Sequence, residues 1–109
     1  MKRGEVWTAA AGRTYTAKPR PVVIVQDDRF DASDSVTVAP ITSDSTAIPL
    51  FRIELAPSST NGLRVSSRVM ADKVTTVPRR KLGRQIGSLD AEEMKRVDAA
   101  LTVFLGLAG

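Results

Sequence analysis

The chain contains no cysteine and no histidine. The first absence excludes disulfides and permits an intracellular life. The two together remove the usual ligands of zinc, copper and iron and leave only oxygen-bound cations such as magnesium. The Ser-His and Cys-His nucleophilic pairs go with them. Aromatic residues are scarce: Trp7, Tyr15, Phe30, Phe51 and Phe104 are too scattered to form a platform for stacked bases. Neither standard phosphate-cradling glycine spacing occurs, and no internal repeat or low-complexity segment is present. No apolar run approaches the length of a membrane span. The basic start Met1-Lys2-Arg3 is followed by Gly4-Glu5-Val6-Trp7 rather than by an apolar region, so no signal peptide is expected.

What is present fits one small globular domain over residues 1–109, with 42% hydrophobic and 26% charged residues. The 16 basic and 12 acidic residues leave a net charge of +4, and the excess is local. From Arg64 to Arg84 the chain carries Arg64, Arg68, Lys73, Arg79, Arg80, Lys81 and Arg84 against Asp72 alone. That is a surplus of six, so the remaining residues sum to minus two. A basic face of this kind suits a polyanion, although a solvated rim gives the same pattern.

Short β patterns fill most of the chain. Glu5-Val6-Trp7-Thr8 reads as a first strand, followed by a polar, turn-rich loop from Ala9 to Lys18. Four β-branched residues, Val22-Val23-Ile24-Val25, predict a strand buried on both faces. Ser35 to Ser43 alternates as a third strand, in which Pro40 points to an edge or a strand end. Leu50 to Leu55 alternates again. Asn61-Gly62 supplies the positive φ angles of a tight turn, Val65 to Thr76 reads as one long strand, and Arg84 to Gly87 as a last short one. Strands without helical crossovers argue for a small antiparallel barrel or sandwich. The C-terminus differs: Asp90-Ala91-Glu92-Glu93 has capping-box spacing. Met94, Val97, Leu101, Phe104 and Leu105 then recur at helical spacing as core, and Gly106 ends the run.

One site can be assembled from these elements. Arg20 lies between Pro19 and Pro21 at the mouth of the apolar second strand, where the prolines stiffen its backbone into extended angles. Either it lays its stem along the rim with its head in water, or it is presented to an anion. Thr42 ends the third strand. If the two strands are antiparallel neighbours, a guanidinium fork and a hydroxyl converge, and together they suit a phosphodiester whose negative charge grows in the transition state.

The chain resembles the MazF/PemK family of toxin endoribonucleases over nearly its whole length. The matching pieces are Arg3-Gly4-Glu5-Val6-Trp7, Arg20-Pro21-Val22-Val23-Ile24-Val25 with Gln26-Asp27-Asp28, Thr37-Val38-Ala39-Pro40-Ile41-Thr42-Ser43, Asp72-Lys73-Val74, and Leu89-Asp90-Ala91-Glu92-Glu93-Met94 with Ala100-Leu101. The resemblance implies a mainly β fold, an SH3-like antiparallel barrel with a C-terminal helix. It implies a homodimer that cleaves single-stranded RNA without metal or other cofactor, by attack of the ribose 2′-hydroxyl. It places the catalytic roles on Arg20 and Thr42, with Asp72 as a further candidate or as an ion-pair partner of nearby arginines. RNA contacts are expected from Arg13, Tyr15 and Lys18 in the first loop, and from Ser43 and Lys73.

Two departures affect specificity. The first loop lacks the family's acid and second glycine, and the Asp-Gln pair is Asp72-Lys73 here. An acidic antitoxin tail is the expected protein partner, the cytoplasm the expected compartment, and no membrane is involved. Two other readings remain: a non-catalytic toxin of the same barrel that grips gyrase, and an inactive RNA-binding relative.

Overall fold

The computed structural model describes residues 1–10, 19–44 and 51–107. Seven strands and one helix follow in order: β1 (Glu5–Ala9), β2 (Arg20–Ile24), β3 (Ser35–Thr42), β4 (Arg52–Leu55), β5 (Ser67–Met70), β6 (Thr75–Pro78), β7 (Leu82–Ser88) and α1 (Ala91–Phe104). All pairings among the described residues are antiparallel. The sheet runs β4-β5-β3-β2-β1-β7, and β6 joins β3 beside β5. Strand β3 is therefore central, so Pro40 does not mark an edge; of the two alternatives it offered, it lies near a strand end, where the β2–β3 pairing stops. The first half of β3 pairs with β6 over residues 35–38, and its end pairs with β5 at Ile41 and Thr42. Thr37 turns its peptide groups toward β2, where its carbonyl accepts from Val25 N. Alternation then aims the Pro40 nitrogen at the other side, where β3 changes partner and no donor is needed.

The run Val22-Val23-Ile24-Val25 is buried on both faces, as its composition predicts. Val23 and Val25 join Val6, Ala39, Ile41 and Val69 under the helix residues Val97, Ala100 and Leu101. Val22 and Ile24 join Val36, Val38 and Leu82 in a second cluster on the opposite face. Period-two alternation thus feeds two apolar layers from one strand, whose exposed residue is its first, Arg20.

The expected long strand from Val65 to Thr76 is broken. It becomes β5 and β6 with a 3-10 turn, Ala71–Lys73, between them. The break lets one stretch of chain pair with both halves of β3. Asn61 also departs from expectation: no non-glycine residue among those described has positive φ, and only Gly62, at +73°, bends the turn that way. The Asn61 side chain is fully buried instead. Its Oδ1 accepts from Ser58 N and Leu63 N, and its Nδ2 donates to the Ala56 carbonyl and to Glu93 Oε2. Every polar atom of the amide is satisfied, which is the condition for burying it.

Glu93 also closes the helix start. Asp90 accepts from Glu93 N at 2.8 Å and Glu93 accepts from Asp90 N at 2.9 Å, the predicted capping box. Gly106, at φ +73°, ends the helix with the paired bonds Gly106 N to Val103 O and Leu107 N to Thr102 O. The apolar stripe is core only over its first part. Val97 and Leu101 are buried and Met94 is half-buried, whereas Phe104 and Leu105 are about half exposed, with Phe104 tilted against Phe51 at 5.6 Å. Arg3 pins the helix to the sheet by donating to the Val25 carbonyl and to the Asp98 carboxylate.

Candidate functional site

Strands β2 and β3 are antiparallel neighbours, the condition on which the Arg20–Thr42 pairing depended. Val22 stands opposite Pro40, where the paired register ends, and Arg20 and Thr42 each lie two residues beyond that pair. Arg20 is exposed and Thr42 is partly exposed. The stiff Pro19-Arg20-Pro21 unit thus carries a side chain facing water just before a run, Val22 to Val25, that is buried throughout.

Arg20 lines a groove of about 640 Å³. Arg64 and Arg84 line it too, with Ser43, Thr8 and Gln85, and no acidic residue is among its described lining. Three exposed guanidinium groups around one concavity make an anion site, because arginine never loses its charge and its planar fork matches phosphate oxygens. Thr42 does not line the groove, although Ile41 and Ser43 on either side of it do. By strand alternation its side chain lies on the opposite face of β3 from theirs.

Arg84 owes its direction to irregularities in β7. Trp7 faces Gln85 while Val6 faces Gly87 and Ala9 faces Leu82, so two register shifts each add a residue to β7. Bulges re-aim side chains, and here Arg84 is fixed by its backbone N–H donating to Thr8 Oγ1 at 3.1 Å. The arginine content of the segment was visible in the sequence. Its use at this groove was not, because broken alternation hides which side chains share a face.

The remaining candidates fall elsewhere. Asp72 sits in the turn between β5 and β6 and holds Arg52 through Nε and Nη2, both at 3.4 Å. Its side chain is 17% exposed and that of Arg52 is 9% exposed. Neither Asp72 nor the exposed Lys73 lines the groove. Arg13, Tyr15 and Lys18 lie outside the described residues. The basic segment is also not a single surface. Arg79 is bound to Asp31 and to the Asp31 and Ser33 carbonyls, and Arg68 is drawn to Glu54 and the Asp44 carbonyl. Among the described residues no helix is long and apolar enough to cross a membrane.

The family described as PemK-like, MazF-like toxins of type II toxin-antitoxin systems matches residues 2–105. The chain belongs to this family of toxins. It is 55% identical, over the full length of both chains, to a probable endoribonuclease MazF of Mycolicibacterium smegmatis. It is 31% identical to endoribonuclease MazF9 of Mycobacterium tuberculosis, covering 98% of each chain. Its structure resembles a mycobacterial endoribonuclease solved in complex with its cognate antitoxin, with a TM-score of 0.82, 27% identity, and coverage of 98% of this chain and 96% of that one. These relatives bear the names of nucleases, so the gyrase-gripping reading is not favoured.

Proposed function

We propose that this chain is an endoribonuclease toxin that cuts single-stranded RNA, and that the arginine-lined groove receives the RNA backbone. The observation that carries this reading is a groove lined by Arg20, Arg64 and Arg84, with no acidic residue among its described lining. In the proposed reaction the ribose 2′-oxygen attacks the adjacent phosphorus. The new O–P bond forms as the bond to the 5′-oxygen breaks, leaving a 2′,3′-cyclic phosphate and a 5′-hydroxyl. The 2′-hydroxyl proton passes to solvent water and the departing 5′-oxygen takes one from solvent, so the overall step consumes neither water nor metal.

Arg20 acts mainly through its charge. A guanidinium with a pKa above about 12 is a poor proton donor and almost never a base, but fixed in place it stabilises the extra charge of the pentacoordinate phosphate. Thr42 donates its hydroxyl to a phosphoryl oxygen. Such a toxin acts in the cytoplasm as a homodimer, and the same cationic groove suits the acidic tail of an antitoxin.

The test is incubation with mixed-sequence single-stranded RNA in the presence of a chelator, followed by end-group analysis. Wild type should leave cyclic-phosphate ends. Arg20→Ala and Thr42→Ala should each slow the reaction by about a hundredfold or more. Wild-type rates in both variants would move the site elsewhere.

A further inference from the structure

We infer that Arg68 is a positioning residue for Thr42. The inference rests on the reading that the Thr42 hydroxyl donates to phosphate. Thr42, Arg68 and Glu54 lie in one row across β3, β5 and β4, Thr42 opposite Arg68 and Arg68 opposite Glu54. The backbone N–H of Asp44 donates to Thr42 Oγ1 at 3.1 Å. The carbonyl of the same residue accepts from Arg68 Nη1 at 3.2 Å. The second terminal nitrogen, Arg68 Nη2, lies 3.6 Å from Glu54 Oε1. Asp44 is therefore held at both of its peptide groups, one by the hydroxyl and one by the arginine.

The consequence lies in the direction of one proton. A hydroxyl has one hydrogen and two acceptor sites, and its hydrogen rotates to suit its surroundings. With the Asp44 N–H on one lone pair, the rotor keeps its hydrogen for an outside acceptor, which is the state that phosphate binding needs. That arrangement lasts only while the turn from Thr42 to Asp44 keeps its shape, and Arg68 clamps its far end at the Asp44 carbonyl. Arg68 is only 20% exposed and directs both terminal nitrogens at protein oxygens, which suits a clamp rather than a direct RNA contact. Precise sites depend on such support, because small displacements of a reacting group are costly in rate.

The test compares Arg68→Gln, Arg68→Lys, Thr42→Ala and the Arg68→Gln/Thr42→Ala double variant. Initial rates are measured on mixed-sequence single-stranded RNA over a range of concentrations, with a thermal melt of each protein. Arg68→Gln should lower the maximal rate about tenfold while the half-saturating RNA concentration changes less than about twofold. Arg68→Lys, which still donates to the Asp44 carbonyl, should recover most of the loss. In the Thr42→Ala background, followed over long incubations, Arg68→Gln should have no further effect.

Glu54→Gln, at an exposed position, loosens the arginine without removing it and should cost about twofold to threefold in maximal rate. It gives the answer if Arg68→Gln does not fold. A rise in half-saturating RNA at unchanged maximal rate would make Arg68 an RNA contact and overturn the inference. So would an equal tenfold loss in both backgrounds, or full activity of both Arg68→Gln and Glu54→Gln. Wild-type rates in Thr42→Ala would instead remove the underlying reading of Thr42, and the inference with it.

Discussion

Asp72 receives both Nε and Nη2 of Arg52 at 3.4 Å, one nitrogen to each carboxylate oxygen, and both side chains are largely covered from water. A carboxylate held in this way is aimed at its partner rather than at the groove. Asp72→Asn should therefore leave the maximal cleavage rate within about threefold of wild type. Arg52→Gln, which strands a partly covered charge, should destabilise the fold by about 2 kcal/mol. Denaturant unfolding read beside cleavage kinetics separates the two effects. A loss of a hundredfold or more in rate for a well-folded Asp72→Asn would instead make Asp72 the base that takes the 2′-hydroxyl proton.

A second ion pair sets a pH dependence. Partial burial by itself would raise the pKa of Asp31, but the hydrogen bond from Arg79, with the charges of the N-terminus and Arg79, more than offsets it and holds the carboxyl below its ordinary range. A group depressed in the folded state adds stability above its unfolded pKa, and that stability is lost as pH falls through the folded value. Asp31→Asn should accordingly cost stability at about pH 7 and cost less at about pH 3, as the wild-type carboxyl begins to take up its own proton. Urea unfolding of both proteins at the two pH values checks it. An equal penalty at both would mean that shape, not charge, matters at this position.

The backbone makes a prediction of its own at Gly87. A Cβ there would lie 2.3 Å from the Asn61 carbonyl carbon and 2.5 Å from the Thr60 oxygen, which accepts from Ser88 N. Both are backbone atoms that cannot swing aside. Gly87→Ala should push β7 away from the turn holding Asn61 and destabilise the fold by about 3 kcal/mol, with a lowered melting temperature. Because Gly62 and Arg64 on that turn line the groove, the variant should also bind RNA less well than its folded fraction predicts.

How much of this was legible in the sequence follows from how local each signal is. The doubly buried strand, the capping box and the terminating Gly106 depend on adjacent residues or fixed short spacings, and all three are found in the structure. The break between β5 and β6 depends on β3 having two partners on one side, a property of the whole sheet that Val65 to Thr76 does not encode by itself. The edge reading of Pro40 failed for the same reason. A missing donor marks an edge only when nothing else interrupts the ladder, and here the change of partner does so. Asn61 was read from its turn propensity, while its actual work is done by a side chain bonded to Ala56 and to Glu93, which is distant in sequence. At the site, the spacing of Arg20 and Thr42 became meaningful only with the β2–β3 register. Phe104 and Leu105 continue the helical period but are about half exposed, so periodicity overstated the core.

The groove itself yields the last prediction. Arg64 and Arg84 are exposed, line the same concavity as Arg20, and lie on separate parts of the chain. Contacts of this kind to phosphate position an RNA strand without reading its bases. Arg64→Gln and Arg84→Gln should each weaken RNA binding by a similar factor on every sequence tested. Each should also make the slope of log affinity against log salt shallower by about 0.7, the value for one phosphate contact to a single strand. The rate at saturating RNA should stay near wild type, since neither residue faces Thr42 across the β2–β3 ladder. Binding titrations at several salt concentrations, made with Thr42→Ala so that the RNA survives, give the slope. An unchanged slope in both variants would mean that the strand runs outside the groove, and a change confined to certain sequences would make that arginine a reader of bases instead.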